Sequence, residues 1–90
     1  MAQSRNYKSI TSDITEGFVT INPIYLKAFD AEALKTLYET ILQRLNQMRA
    51  EPFPYGNIEL IRKRNIKLQR VYNAQMLIRN YARDRRIKLG

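Results

Sequence analysis

The chain contains no cysteine and no histidine among its 90 residues. Without cysteine there is no disulfide framework and no thiolate metal site. Without histidine, zinc would be left with carboxylates alone, and the commonest general acid–base side chain is missing. Glycine is also scarce. Gly17, Gly56 and Gly90 stand isolated, so no glycine-rich loop exists to cradle a phosphate. No apolar run approaches the roughly 18 residues of a spanning helix, and the stretch before Ile10 is polar. Neither a transmembrane helix nor a secretory signal is expected, which implies a cytosolic protein without a membrane partner.

Acidic residues are missing from one part of the chain. Residues 1–54 balance Arg5, Lys8, Lys27, Lys35, Arg44 and Arg49 against Asp13, Glu16, Asp30, Glu32, Glu39 and Glu51. Residues 55–90 set Arg62, Lys63, Arg64, Lys67, Arg70, Arg79, Arg83, Arg85, Arg86 and Lys88 against only Glu59 and Asp84. The whole net charge of +8 therefore lies in that second part. Clustered cations attract polyanions, whereas evenly spread ones mainly confer solubility.

Catalytic constellations do not assemble. Glu32 and Glu39 share a helical face, but a solvated surface accounts for them. Ser9 and Ser12 have no histidine base, and nothing near Lys27 or Lys35 would activate an amine. The reading is of a non-enzyme that needs no cofactor and no metal.

What is present suffices for one small domain, since 44% of the residues are hydrophobic. Residues 1–8 read as a flexible lead. Residues 9–21, rich in Thr, Ile and Ser around Gly17, read as an extended segment or short β-hairpin. Asn22 and Pro23 then suit an N-cap and a first helical position, so residues 23–51 read as a helical turn followed by a long helix. Asp30 caps that helix, and Leu34, Tyr38, Ile41, Leu45 and Met48 form its apolar seam, widened by Leu37 and Leu42.

Pro52 and Pro54 stop the helix. Phe53 and Tyr55 are expected to fold back and seal the link. Asn57 opens a second long helix over residues 57–89, with Ile58, Ile61, Leu68 and Tyr72 as its core stripe. The two helices would span roughly 30 and 48 Å. The fold expected is therefore mainly α, a long antiparallel helical hairpin with a short N-terminal extended segment laid against it. Ile78, Tyr81 and Ile87 lie where the second helix outruns the first. They would need cover from the Pro23–Phe29 turn (Ile24, Tyr25 or Phe29), from the N-terminal extended segment, or from another molecule.

The candidate site is the basic face of this second helix: Arg62, Lys63, Lys67, Arg70, Arg79, Arg83, Arg85, Arg86 and Lys88, with Tyr81 as a platform for an unpaired base. Arginine suits bidentate phosphate contact. Acids four residues from bases, as on an ordinary solvated face, occur only at Glu59 with Lys63 and Asp84 with Lys88. A helix-turn-helix reader fits poorly, because its turn is only about three or four residues and its helices are short. In architecture, though in no motif, the arrangement resembles the small two-helix basic proteins that dock on ribosomal RNA. The expected function is non-catalytic binding of nucleic acid (DNA or RNA) or a nucleoprotein assembly through phosphate contacts, by a protein monomeric when free. The competing reading is a protein-interaction subunit or adaptor, viral ones included, that docks on an acidic protein.

Overall fold

The computed structural model describes residues 6–89. It holds four helices in the order α1 (Tyr7–Glu16), α2 (Pro23–Leu26), α3 (Ala31–Ala50) and α4 (Ile58–Asp84). No strand occurs among the described residues. Helices α3 and α4 pack together, and α1 packs against both, making a small bundle of about 48 × 26 × 21 Å.

Of the extended segment or hairpin expected over residues 9–21, residues 9–16 lie in a helix instead, and residues 17–21 form neither helix nor strand. Asn6 caps α1 by accepting the Ser9 N–H at 3.0 Å. Thr11, Ile14 and Thr15 are buried, and Tyr7 and Ile10 pack partly against the core, a spacing that belongs to a helix. The buried hydroxyls of Thr11 and Thr15 donate to the carbonyls of Tyr7 and Thr11, both at 2.8 Å. Threonine can therefore go inside without an unsatisfied group. Strand preference of β-branched residues is a weak local bias, and burial on two neighbouring helices overrides it. Of the residues read as a flexible lead, 1–5 lie outside the described residues, while Tyr7 and Lys8 open α1.

Gly17 stops α1. Its N–H bonds the Ile14 carbonyl at 3.1 Å and the Phe18 N–H bonds that of Asp13 at 2.8 Å, with Gly17 at φ 84°. This paired pattern is a Schellman ending, and it requires the left-handed region that glycine enters without penalty.

The local signals of the next segment hold. Asn22 and Asp30 accept the N–H groups of Tyr25 and Ala33, each at 2.8 Å, and Pro23 opens α2. Leu34, Leu37, Ile41, Leu45 and Met48 are the buried residues of α3. Tyr38 and Leu42 flank them, half-buried. Asn57 caps α4 through the Leu60 N–H at 3.0 Å.

Helix α4 departs from expectation at both ends. Its buried residues are Val71, Ala74, Gln75, Ile78, Tyr81 and Ala82. Tyr72, read as core, is 43% exposed, and Ile58, the start of the expected stripe, is 74% exposed. At 3.6 residues per turn the true core face lies roughly a third of a turn from that stripe. The residue that reaches Tyr38 is Gln75, whose Nε2 donates to the tyrosine hydroxyl at 3.3 Å. Phe53 and Tyr55 stack on each other, centroids 4.8 Å apart, yet do not seal the link, since Tyr55 is 86% exposed.

The helix also ends at Asp84, short of residue 89. The Arg86 N–H bonds the Arg83 carbonyl at 3.1 Å and the Ile87 N–H bonds that of Ala82 at 2.8 Å. This is a second Schellman ending, but its left-handed position, at φ 58°, holds Arg86. A non-glycine residue there is strained by about 1–2 kcal/mol. The two endings therefore predict opposite effects in thermal melts. Arg86→Gly should stabilise the fold by about 1 kcal/mol, and Gly17→Ala should destabilise it by at least as much. The alanine Cβ at position 17 would also sit 2.8 Å from the Arg70 guanidinium carbon. Shifts of the same sign in both variants would remove the strain argument.

Candidate functional site

The cations of α4 and of the residues just after it fall into two groups once the bundle is assembled. One group is tied into the fold. Arg70 donates from a guanidinium nitrogen to the Thr15 carbonyl at 3.1 Å and lies against Gly17. That places a cation on the carbonyl end of α1, where the helix dipole favours it and where α1 has no basic residue of its own. Lys67 pairs with Glu16 at 3.2 Å, a half-exposed bridge that contributes little by itself. Arg64 is half-buried against the link, its guanidinium 5.2 Å from the Phe53 ring centre and its Nε buried without a partner. Arg85 covers the Tyr81 ring at 3.8 Å. Nothing local in the sequence marks Lys67 and Arg70 as ties, because their partners lie on another helix.

Tyr81 is corrected accordingly. It is a core residue, 8% exposed and roofed by Arg85, so a base cannot stack on it. Among the described residues, the exposed tyrosines of the basic helix and the link before it are Tyr72 and Tyr55.

The second group is free. Arg62, Lys63, Arg79, Arg83, Arg86 and Lys88 are exposed. Their side chains make no hydrogen bond or ion pair among the described residues. The Asp84–Lys88 helical pair read from the sequence does not form, because Lys88 lies beyond the end of α4. Arg79 and Arg83 sit one turn apart on the same side of the helix. They stand about 25 Å or more along the axis from Arg62. The basic face is thus two separate poles.

Beside the C-terminal pole, the apolar residues that needed cover have it. Ile78 is fully buried and Tyr81 nearly so, in a core that includes Leu26 and Phe29. Tyr25 packs partly against that core and stacks on Phe29 at 5.5 Å. Ile24, also a candidate cover, points out and is 78% exposed.

Elsewhere the molecule offers little chemistry. A groove of about 330 Å³ between α1 and α3 is lined by Lys8, Ser12, Glu16 and Arg44 with three threonines. The hydroxyls of those threonines (Thr11, Thr15 and Thr40) already bond carbonyls of their own helices. No cluster of three metal-ligating side chains occurs among the described residues, and no helix is long and apolar enough to cross a membrane. No protein-family model, no curated protein and no solved structure matches the chain.

Proposed function

We propose that the protein is a non-catalytic binder of nucleic acid, or of an assembly containing it, that grips phosphates with Arg79, Arg83, Arg86 and Lys88. One observation carries the reading: Ile78 and Tyr81 are covered within the chain, while Arg79 and Arg83 beside them are exposed and have no partner among the described residues. An exposed apolar strip ringed by cations would instead have the anatomy of a protein interface. Here the C-terminal pole is charge without a greasy centre, which suits a phosphate backbone.

The α3–α4 pair reads as an antiparallel hairpin. Tyr38, early in the middle of α3, bonds Gln75, whereas the later Leu45 and Arg49 share a groove with Asn65 and Leu68. That order sends the C-terminal pole to the end away from the Pro52 link. The contacts proposed are to backbone phosphates, with little reading of base sequence, and the free protein is monomeric.

Binding to duplex DNA should then fall steeply with salt. Each neutralised phosphate contributes about −0.9 to the log–log slope, so four contacts predict about −3.6. Arg79→Ala combined with Arg83→Ala should reduce its magnitude by about 1.8 and leave the melting temperature nearly unchanged. Arg85→Ala should instead lower the melting temperature slightly, since it uncovers Tyr81. Fluorescence anisotropy over a salt series decides the matter. An unaltered slope in the double variant, or no binding at low salt, would remove the phosphate grip.

A further inference from the structure

The first half of α4 has an apolar face that the bundle does not cover. Between Ile58 and Arg70 no residue of the helix is buried. Ile58 and Ile66 are exposed, with the exposed Tyr55 just before the helix. A shallow groove of about 490 Å³ runs along this stretch, lined by Ile58, Ile61, Arg62, Asn65, Ile66 and Gln69. The spacing is that of one helical face, about 17 Å long. Helices in water owe most of their stability to burying such a face, so this one lacks its packing partner.

We infer that this face docks an acidic amphipathic helix supplied by another protein. A ridge of apolar residues on a partner helix can lie over Ile58, Ile61 and Ile66. The groove's charge then selects the partner. Arg62 lines the groove, and Lys63 stands exposed beyond Glu59, the one acid in this half of α4. A helix carrying Asp and Glu along the edges of its apolar stripe would meet these cations. A second copy of the chain would bring Arg62 and Lys63 against their own kind, on molecules that each carry +8. Phosphates alone would leave the isoleucines in water, with nothing to remove their apolar surface from solvent. The inference does not rest on the nucleic-acid reading, because this surface and the C-terminal pole occupy different parts of α4.

The test uses the full chain and a labelled synthetic peptide of about four helical turns. The peptide has leucine at i, i+3, i+4 and i+7 on one face and glutamate on the others. The peptide is expected to bind and to shift the amide signals of residues 58–72. Ile58→Asp combined with Ile66→Asp should weaken binding by about tenfold or more, with far-ultraviolet circular dichroism unchanged. Arg62→Glu should weaken it as well, and Arg79→Ala with Arg83→Ala should leave it intact. Three results would overturn the inference. The peptide fails to bind wild type; a peptide of the same composition with scrambled leucines binds equally well, so that charge alone acts; or wild type self-associates and the Ile58→Asp, Ile66→Asp variant becomes monomeric, so that a second copy is the occupant. Loss of DNA binding with the peptide site intact would remove only the phosphate reading.

Discussion

Ile78→Asp should abolish the native fold at room temperature. Ile78 is fully buried in α4 at the centre of the shared core, with Leu26, Leu34 and Leu37 among the other fully buried residues. Deleting its packed side chain alone costs about 2–5 kcal/mol, on the scale of large-to-small core changes. A carboxylate placed in that apolar cluster adds several kcal/mol more. A domain of this size holds only about 5–13 kcal/mol in total, so the sum approaches or exceeds what is available. Ile66→Asp is the matched control. The same chemical change on an exposed residue of the same helix should leave the melting curve within about 0.5 kcal/mol of wild type. Circular dichroism of the two variants side by side is the measurement. A well-folded, monomeric Ile78→Asp protein would mean that this part of α4 faces outward, and the reading of the C-terminal pole as bare charge would fall with it.

Leu45→Ala should be the next most damaging change, at about 2–5 kcal/mol, because Leu45 is buried in the α3 face that meets α4. For a chain this short that corresponds to a melting temperature lower by about 8 °C or more. Leu68→Ala, across the same interface, should do clearly less. Leu68 is only half-buried and lines an open groove with Arg49 and Tyr72, so its removal leaves no closed cavity. Chemical denaturation of both variants gives the contrast. Equal losses at the two positions would place Leu68 inside the core and move the packed face of α4 back toward Tyr72.

The two poles of α4 follow from a difference in what packs on each half. From Val71 onward the helix shares its core with α1, α3 and the segment containing Leu26 and Phe29, which leaves Arg79 and Arg83 exposed at the rim while Arg85 lies over Tyr81. Before Val71 no residue of α4 is buried, and the cations there stand among exposed isoleucines, tie back to α1 or, for Arg64, lie against Phe53 of the link. A single basic helix thus presents charge alone at one end and charge with apolar surface at the other. The two ends are suited to partners of different chemistry.

The starts of α2, α3 and α4 were legible from the sequence because a cap is a local bond, whereas the Asn6 cap of α1 was not read. Asn22, Asp30 and Asn57 each accept the N–H three residues on, and that geometry is contained within one turn. The seam of α3 was legible too, since its apolar residues fill one face and no other. Charge segregation is likewise a property of the chain itself. Three things were decided only in the assembled bundle. Residues 7–16 became a helix because two neighbouring helices bury Thr11, Ile14 and Thr15, a gain that outweighs the strand bias of those residues. The face of α4 could not be read from periodicity, since its apolar residues surround most of the helix and only the positions of α1 and α3 choose among them. The roles of Lys67, Arg70 and Tyr81 turned on partners or burial supplied from elsewhere in the fold, at Glu16, at Thr15 and in the shared core. A charge or a ring has the same appearance in a sequence whether it meets solvent or another helix, and only the packing tells the two apart.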